Sequence, residues 1–424
     1  MYFEQAWNNG DLEMVQWLHR KNMKGCTEWT MCHAAYNGRL DVVKFLHENR
    51  NEGCTFDAMD AAAENGHFDV VKFLHENRTE GCSIAMDYAA KNGHLDIVKF
   101  LHENRTEGCT SWAMDYAAKN GHLDIVKFLH ENRKEGCTTD AMDWAAGNGH
   151  LDIVKWLHDN RTEGCTSYAI RHAAEIGRFD IVKFLYENYD KELIPCGDVF
   201  NCAVKQGLID MVQWCHENDI EDFADDRAMN YAAEYGHLDI VKWLHTNRPE
   251  RCTKRAMNLA AEHGHLTIVK FLHENRTEGC TTWAMDYAAA KGHLDVVKFL
   301  HENRNEGCRM FAMNHAASNG HLDVVKFLHE NRTEGCTTEA MDLAALHGHL
   351  DIVKFLHENR TEGCTTEAMI SAAANGYLNV VKFLYETQPK KSQKKMRKWA
   401  YKINRSDVME LFQSLGDRTI NIVV

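Results

Sequence analysis

The chain has 424 residues, with 48 Lys+Arg against 62 Asp+Glu and a formal net charge of -14. That balance disfavours the array as a nucleic-acid binder, whose footprint would be a basic stripe. No apolar run approaches the roughly 18–20 residues needed to cross a bilayer.

From its first residues the chain repeats one module, and it starts inside a repeat with no basic-then-apolar leader. The lead glycine stands at Gly10, Gly38, Gly66, Gly93, Gly121, Gly149, Gly177, Gly207, Gly236, Gly264, Gly292, Gly320, Gly348 and Gly376. Most steps are 28 residues, one is 27, and the middle of the chain has 30 and then 29. A fixed period of this size means stacked units, each burying its apolar surface against its neighbours. Residues present in every module are therefore expected to be structural.

The unit from Cys137 to Arg161 represents the rest. Thr138 or Thr139 is the expected helix N-cap, and Asp140 suits the positive end of the helix dipole. Met142, Ala145, Ala146 and Gly149 follow i, i+3, i+4, i+7 and make one face, with Gly149 as a left-handed stop. In the second half Ile153, Val154, Trp156 and Leu157 form an apolar stripe, while Asp152, Lys155 and Asp159 face water. Asn160 to Gly164 is a short turn. The module reads as helix, turn, helix and tight connector.

Twelve of the 15 cysteines share one phase, from Cys26 to Cys364 and including Cys196. Equivalent positions in stacked helices lie about 8–10 Å apart. A disulfide needs Cα atoms within roughly 7 Å, so the column is expected to stay reduced, which fits the cytosol or nucleus.

The pattern breaks between residues 188 and 227. The Glu-Gly-Cys-Thr turn is lost, and Glu217, Asp219, Glu221, Asp222, Asp225 and Asp226 make an acidic loop. This segment reads as a degenerate repeat, with a hinge or a dock for a basic peptide as the alternative. The array then resumes and runs to residue 389. Residues 390–424 form a basic segment and a worn final module; Lys390, Lys391, Lys394, Lys395, Arg397, Lys398 and Lys402 accompany Trp399 and Tyr401. A polar cap on the array is one reading. The other is an address at 390–402 for nucleic acid or an anionic membrane.

The run Met-Asp-x-Ala-Ala-x-x-Gly-His-Leu-Asp-Ile-Val-Lys-Phe-Leu resembles the two-helix part of an ankyrin repeat, and the resemblance covers almost the whole chain. It implies an all-α, ankyrin-like helical solenoid of about 14 repeats. The usual period in that family is about 33, and its Thr-Pro-Leu-His signature is absent here. The missing residues fall where the family carries a β-turn finger, so that finger is expected to be a stub. The resemblance also implies that the first helix of each module lines a concave face. It further implies non-catalytic, monomeric work as a scaffold for protein partners, without a cofactor.

Function should lie where modules differ. One first-helix position carries Trp29, Trp112, Asp140, Tyr168, Arg227, Arg255, Trp283, Phe311, Glu339 and Glu367. A packed core would not accept both charges and large rings at one site, so these positions are expected to be exposed. Aromatic residues and arginine are also the types enriched at interface hot spots. The position four residues on (Tyr88, Tyr116, Trp144, His172, Tyr231, Tyr287, His315) suits either a partner or packing between repeats.

The 26 histidines recur too sparsely to share one zinc ion, whose ligand nitrogens lie near 2 Å. They are expected to hydrogen-bond at helix ends and to make stability acid-sensitive. Equal unfolding midpoints at pH 7.5 and pH 5.5 would sink that expectation. Asn-Arg-Thr triplets such as Asn77 and Asn160 match glycosylation sequons but read as helix ends. No Gly-rich phosphate loop, nucleophile elbow or unique His/Asp/Cys set stands outside the repeat, so an enzyme is not expected.

Overall fold

The computed structural model describes residues 11–189, 199–220, 227–248, 252–387, 393–394, 398–400 and 405–414. These residues are helical throughout their regular segments, and they divide into two compact units. One comprises Met1–Gln206 with Gln213–Asp222, the other Gly207–Val212 with Phe223–Val424. Each unit is a repeat helical solenoid built from the same pair of short helices.

In the representative module the first helix is Thr139–Gly147 and the second Leu151–Asn160. Of the two candidate caps, Thr138 is the one used, since its hydroxyl accepts from the Asp140 N–H. The helix ends through Gly149 at φ +84°, with the Gly149 N–H donating to Ala146 O and the His150 N–H to Ala145 O. This left-handed closure satisfies the last carbonyls and turns the chain straight into the second helix. Second helices close with their own asparagine, as when Asn160 Nδ2 donates to Trp156 O at 2.8 Å. The sequon asparagines Asn77, Asn104, Asn275, Asn331 and Asn359 do the same.

The connector runs only from Arg161 to Thr166 before the next helix begins at Ser167. It holds no hairpin, so the expected stub is what stands there. An Arg–Glu ion pair braces it, Arg161 with Glu163 here and Arg304 with Glu306 in a later module. Glu306 also reaches back to the Cys280 N–H at 3.4 Å, joining one connector to the next.

The core forms one layer per module. Met114, Ala117 and Ala118 of one first helix, with Ile125, Val126 and Leu129 of its second, are 0–1 % exposed. Fully burying a side chain such as Leu129 stabilises by roughly 1.5–3 kcal/mol, and no module can do it alone. Successive first helices pack closely along their length, whereas successive second helices touch at few residues. Alanine permits the first contact. Rings hold the second apart, because each helix-end histidine meets the next module's aromatic edge-on, His102 on Phe128 at 5.5 Å and His130 on Trp156 at 5.1 Å. Within each unit the first helices are thus the inner layer.

A second tie between modules comes from the residue after Met in each Ala-Met-Asp triplet. Asp87, Asp115 and Asp143 are buried, and each accepts from the backbone N–H and the hydroxyl of the next module's capping threonine. For Asp115 and Thr138 the distances are 2.8 and 3.0 Å. Asn258 and Asn314 likewise accept from the backbone N–H of Thr281 and Thr337, but donate Nδ2 to their hydroxyls. The position is filled by Arg171 and Ile370 where the following module departs from the pattern.

Candidate functional site

First helices present two kinds of surface. Their alanine and methionine face is sealed in the core, and the opposite face carries the variable residues. Trp29, Trp112, Tyr168 and Trp283 are 51–61 % exposed, and Asp140, Arg227, Arg255, Glu339 and Glu367 are exposed as well. Phe311 departs from this pattern: it is half-buried, because its ring lies between His315 at 3.8 Å and Tyr287 at 5.8 Å. Glu339 is partly engaged, since it accepts from Asn314 Nδ2 at 3.0 Å.

In the first unit Trp112 packs on Tyr116, and Tyr116 on Trp144 at 5.2 Å. Lys119 sits between those two rings, 5.7 Å from Tyr116 and 4.9 Å from Trp144. Lys91 lies likewise between Tyr88 and Tyr116. Tyr168 is flanked by His172 at 4.5 Å and the Arg171 guanidinium at 4.5 Å. Trp29 stands two modules before this cluster.

In the second unit Arg255 and Trp283 line one cleft together with Lys254, Leu259, Glu262 and Tyr287. Tyr287 joins Trp283, at 5.9 Å, to Phe311. The middle position left open by the sequence is thus half-buried, and in Tyr116 and Tyr287 it bridges neighbouring modules. Lys91 and Lys119 stand seven residues after the variable first position, one module apart, which was legible in the sequence; their seat between rings of neighbouring modules was not.

The recurrent cysteines and histidines are built into the stack. Burial pushes the Cys54, Cys82 and Cys109 thiols up to about 11 and Cys137 to about 12, so they stay protonated and poorly nucleophilic. The described cysteines of the column are free thiols, and Cys196 lies outside the described residues. Where a histidine follows the lead glycine, its ring lies over the preceding module's glycine: a Cβ on Gly121, φ +85°, would sit 2.8 Å from His150 Cε1. His67 Nε2 donates to Tyr36 O at 3.0 Å and His265 Nε2 to Glu234 O.

Burial holds His265 and His321 below the usual imidazole range. A depressed folded-state value means stability present above the ordinary range of histidine and lost as the pH falls through it. Substituting His265→Gln should therefore narrow the gap between unfolding midpoints at pH 7.5 and 5.5. An unchanged gap would remove His265 from the acid response.

Among the described residues no cluster of three or more His, Cys, Asp or Glu could hold a metal ion, and no helix is long and apolar enough to cross a membrane. Of the acidic loop, Glu221, Asp222, Asp225 and Asp226 lie outside the described residues. So do Lys390, Lys391, Lys395, Arg397, Tyr401 and Lys402 of the basic segment.

A family model for ankyrin repeats (three copies) matches at residues 3–85, 62–143, 114–195, 142–250, 200–286, 229–314, 285–365 and 313–396. Among solved structures the chain is similar to a pentatricopeptide repeat protein from maize. The identity is 10% and the TM-score 0.33, over 99% of this chain and 73% of that one. No curated protein matches it.

Proposed function

This chain belongs to the ankyrin-repeat family, and from that premise we propose that it is a non-catalytic scaffold holding protein partners along its first-helix face. Repeats of this family are generally protein-interaction modules. One observation carries the finer reading. The same exposed position changes from tryptophan to arginine to carboxylate between modules, while the buried positions a residue or two away hardly change. Packing explains the constant positions. Only contact with something outside the chain gives the variable ones a reason to be large, aromatic and wet.

In this reading residues 1–389 are the binding array and 390–424 close it. Supporting that division, the helix Ser406–Ser414 buries Val408 and Phe412, and the Phe412 ring stacks on Tyr385 at 4.5 Å. Arg405 donates to Ala374 O at 2.7 Å.

The test is cross-linked capture with the intact chain and with a variant carrying Trp112→Ala, Tyr168→Ala and Trp283→Ala. Capture should weaken roughly tenfold or more, while Lys127→Ala on the outer layer leaves it unchanged. A folded triple variant that holds the same partners at parental strength would defeat the reading.

A further inference from the structure

The cleft of the second unit differs from the corresponding surface of its sibling modules in charge. Several sibling first helices carry an acid in their first turn, among them Asp57, Asp140, Glu339 and Glu367. Others carry none, and Arg227–Tyr235 begins with a single cation. The helix Lys254–Glu262 has no acid in its first turn and begins with two cations, Lys254 and Arg255. A cation at the positive end of a helix is unfavourable. No internal partner offsets this: Lys254, Arg255 and Glu262 make no ion pair or hydrogen bond among the described residues. All three line the cleft, whose floor is Leu259, Tyr287 and the half-exposed Trp283.

The cleft is therefore bipolar. Arg255 and Glu262 are seven residues apart on one helix face, about 10 Å along the axis at about 1.5 Å per residue. A polyproline-II segment, with three residues per turn and about 3.1 Å per residue, covers that distance in three residues and returns its side chain to the same face. Glu262 opposes a polyanion such as nucleic acid, and the two cations oppose a basic tail. Neither end opposes a segment carrying one charge of each sign.

We propose that this cleft binds a peptide segment of a protein partner in polyproline-II conformation, whose acidic and basic side chains stand three positions apart on one face, with apolar residues between them. The acid meets Lys254 and Arg255, the base meets Glu262, and the apolar pair lies on Trp283 and Tyr287. This rests on the scaffold reading above and names the chemistry of one of its ligands.

The probe is a fluorescein-labelled peptide with a Glu-Leu-Phe-Lys core in a Gly/Ser frame, titrated by anisotropy with the full chain. Companion peptides carry two acids, two bases, or alanines in place of Leu-Phe, and a labelled single-stranded oligonucleotide is run beside them. The acid–base peptide should bind at least roughly tenfold more tightly than every companion.

The informative variant is Lys254→Thr with Arg255→Asp, because Thr139 and Asp140 already start a sibling helix and the fold accepts that pair. It should lose roughly tenfold for the acid–base peptide, while Lys127→Ala on the outer layer changes nothing. Equal binding of the two-acid peptide or the oligonucleotide, or an unaffected Lys254→Thr, Arg255→Asp variant, overturns the proposal. If these peptides fail while the triple alanine variant still loses its partners, the cleft assignment falls and the scaffold reading stands.

Discussion

Replacing Asp115 by alanine should cost about 2 kcal/mol, and replacing it by asparagine should cost nothing or stabilise. Asp115 is 1 % exposed, and its two oxygens satisfy the Thr138 N–H and hydroxyl. Alanine would remove both hydrogen bonds between the two modules, each contributing about 0.5–1.5 kcal/mol net. Asparagine keeps the amide acceptor, and its Nδ2 can donate to the hydroxyl oxygen, as Asn258 does to Thr281 at 2.9 Å. It also avoids burying a charge. Burial drives the Asp115 carboxyl above its ordinary range despite the two bonds from Thr138. A raised folded-state value means a contribution present below the unfolded value and lost as the pH rises through the folded one. The asparagine variant should therefore lead the parent in unfolding midpoint at pH 7, and the lead should close as the solution is acidified. A lead that persists or grows on acidification would contradict the assignment.

Ala117→Leu should be worse, by about 3 kcal/mol. Ala117 is 0 % exposed and lies in the first helix Ser111–Lys119, which packs closely on the first helices before and after it. Three extra carbons there force two helices apart, and overpacking in a filled core costs about 1–3 kcal/mol, occasionally more. The same change at half-buried Tyr116 should cost less, because that ring already reaches the surface. Denaturant unfolding monitored by far-UV signal distinguishes the two. Equal losses would mean that the inner layer is not the tight one.

The repeat, the helix pair, the shortened connector and the alanine face were legible in the sequence because each depends on spacing within one module. Thr138, Gly149 and the stripe Ile153, Val154 and Leu157 behave as their local chemistry requires. The tie from Asp115 to Thr138 was not legible by the same means, since it links residues 23 positions apart in different modules. A signal was nonetheless present: in most modules the position holds Asp or Asn, two side chains that share an acceptor oxygen. Exposure of Trp112 or Trp283 followed from the exchange of rings and charges at one site. The half-burial of Phe311 did not, because it depends on rings contributed by both Tyr287 and His315. The cleft needed coordinates for a similar reason: Arg255 and Trp283 belong to successive modules, and only stacking makes them walls of one recess.

Each module is held by the modules beside it and by little else. Backbone hydrogen exchange on the intact Asp115→Ala variant bears on this without an intermediary. Exchange should quicken in the helices Ser111–Lys119 and Thr139–Gly147, with parental rates retained in Leu40–Asn49 of the same unit. Acceleration of similar size in Leu40–Asn49, or none beside the substitution, would contradict it.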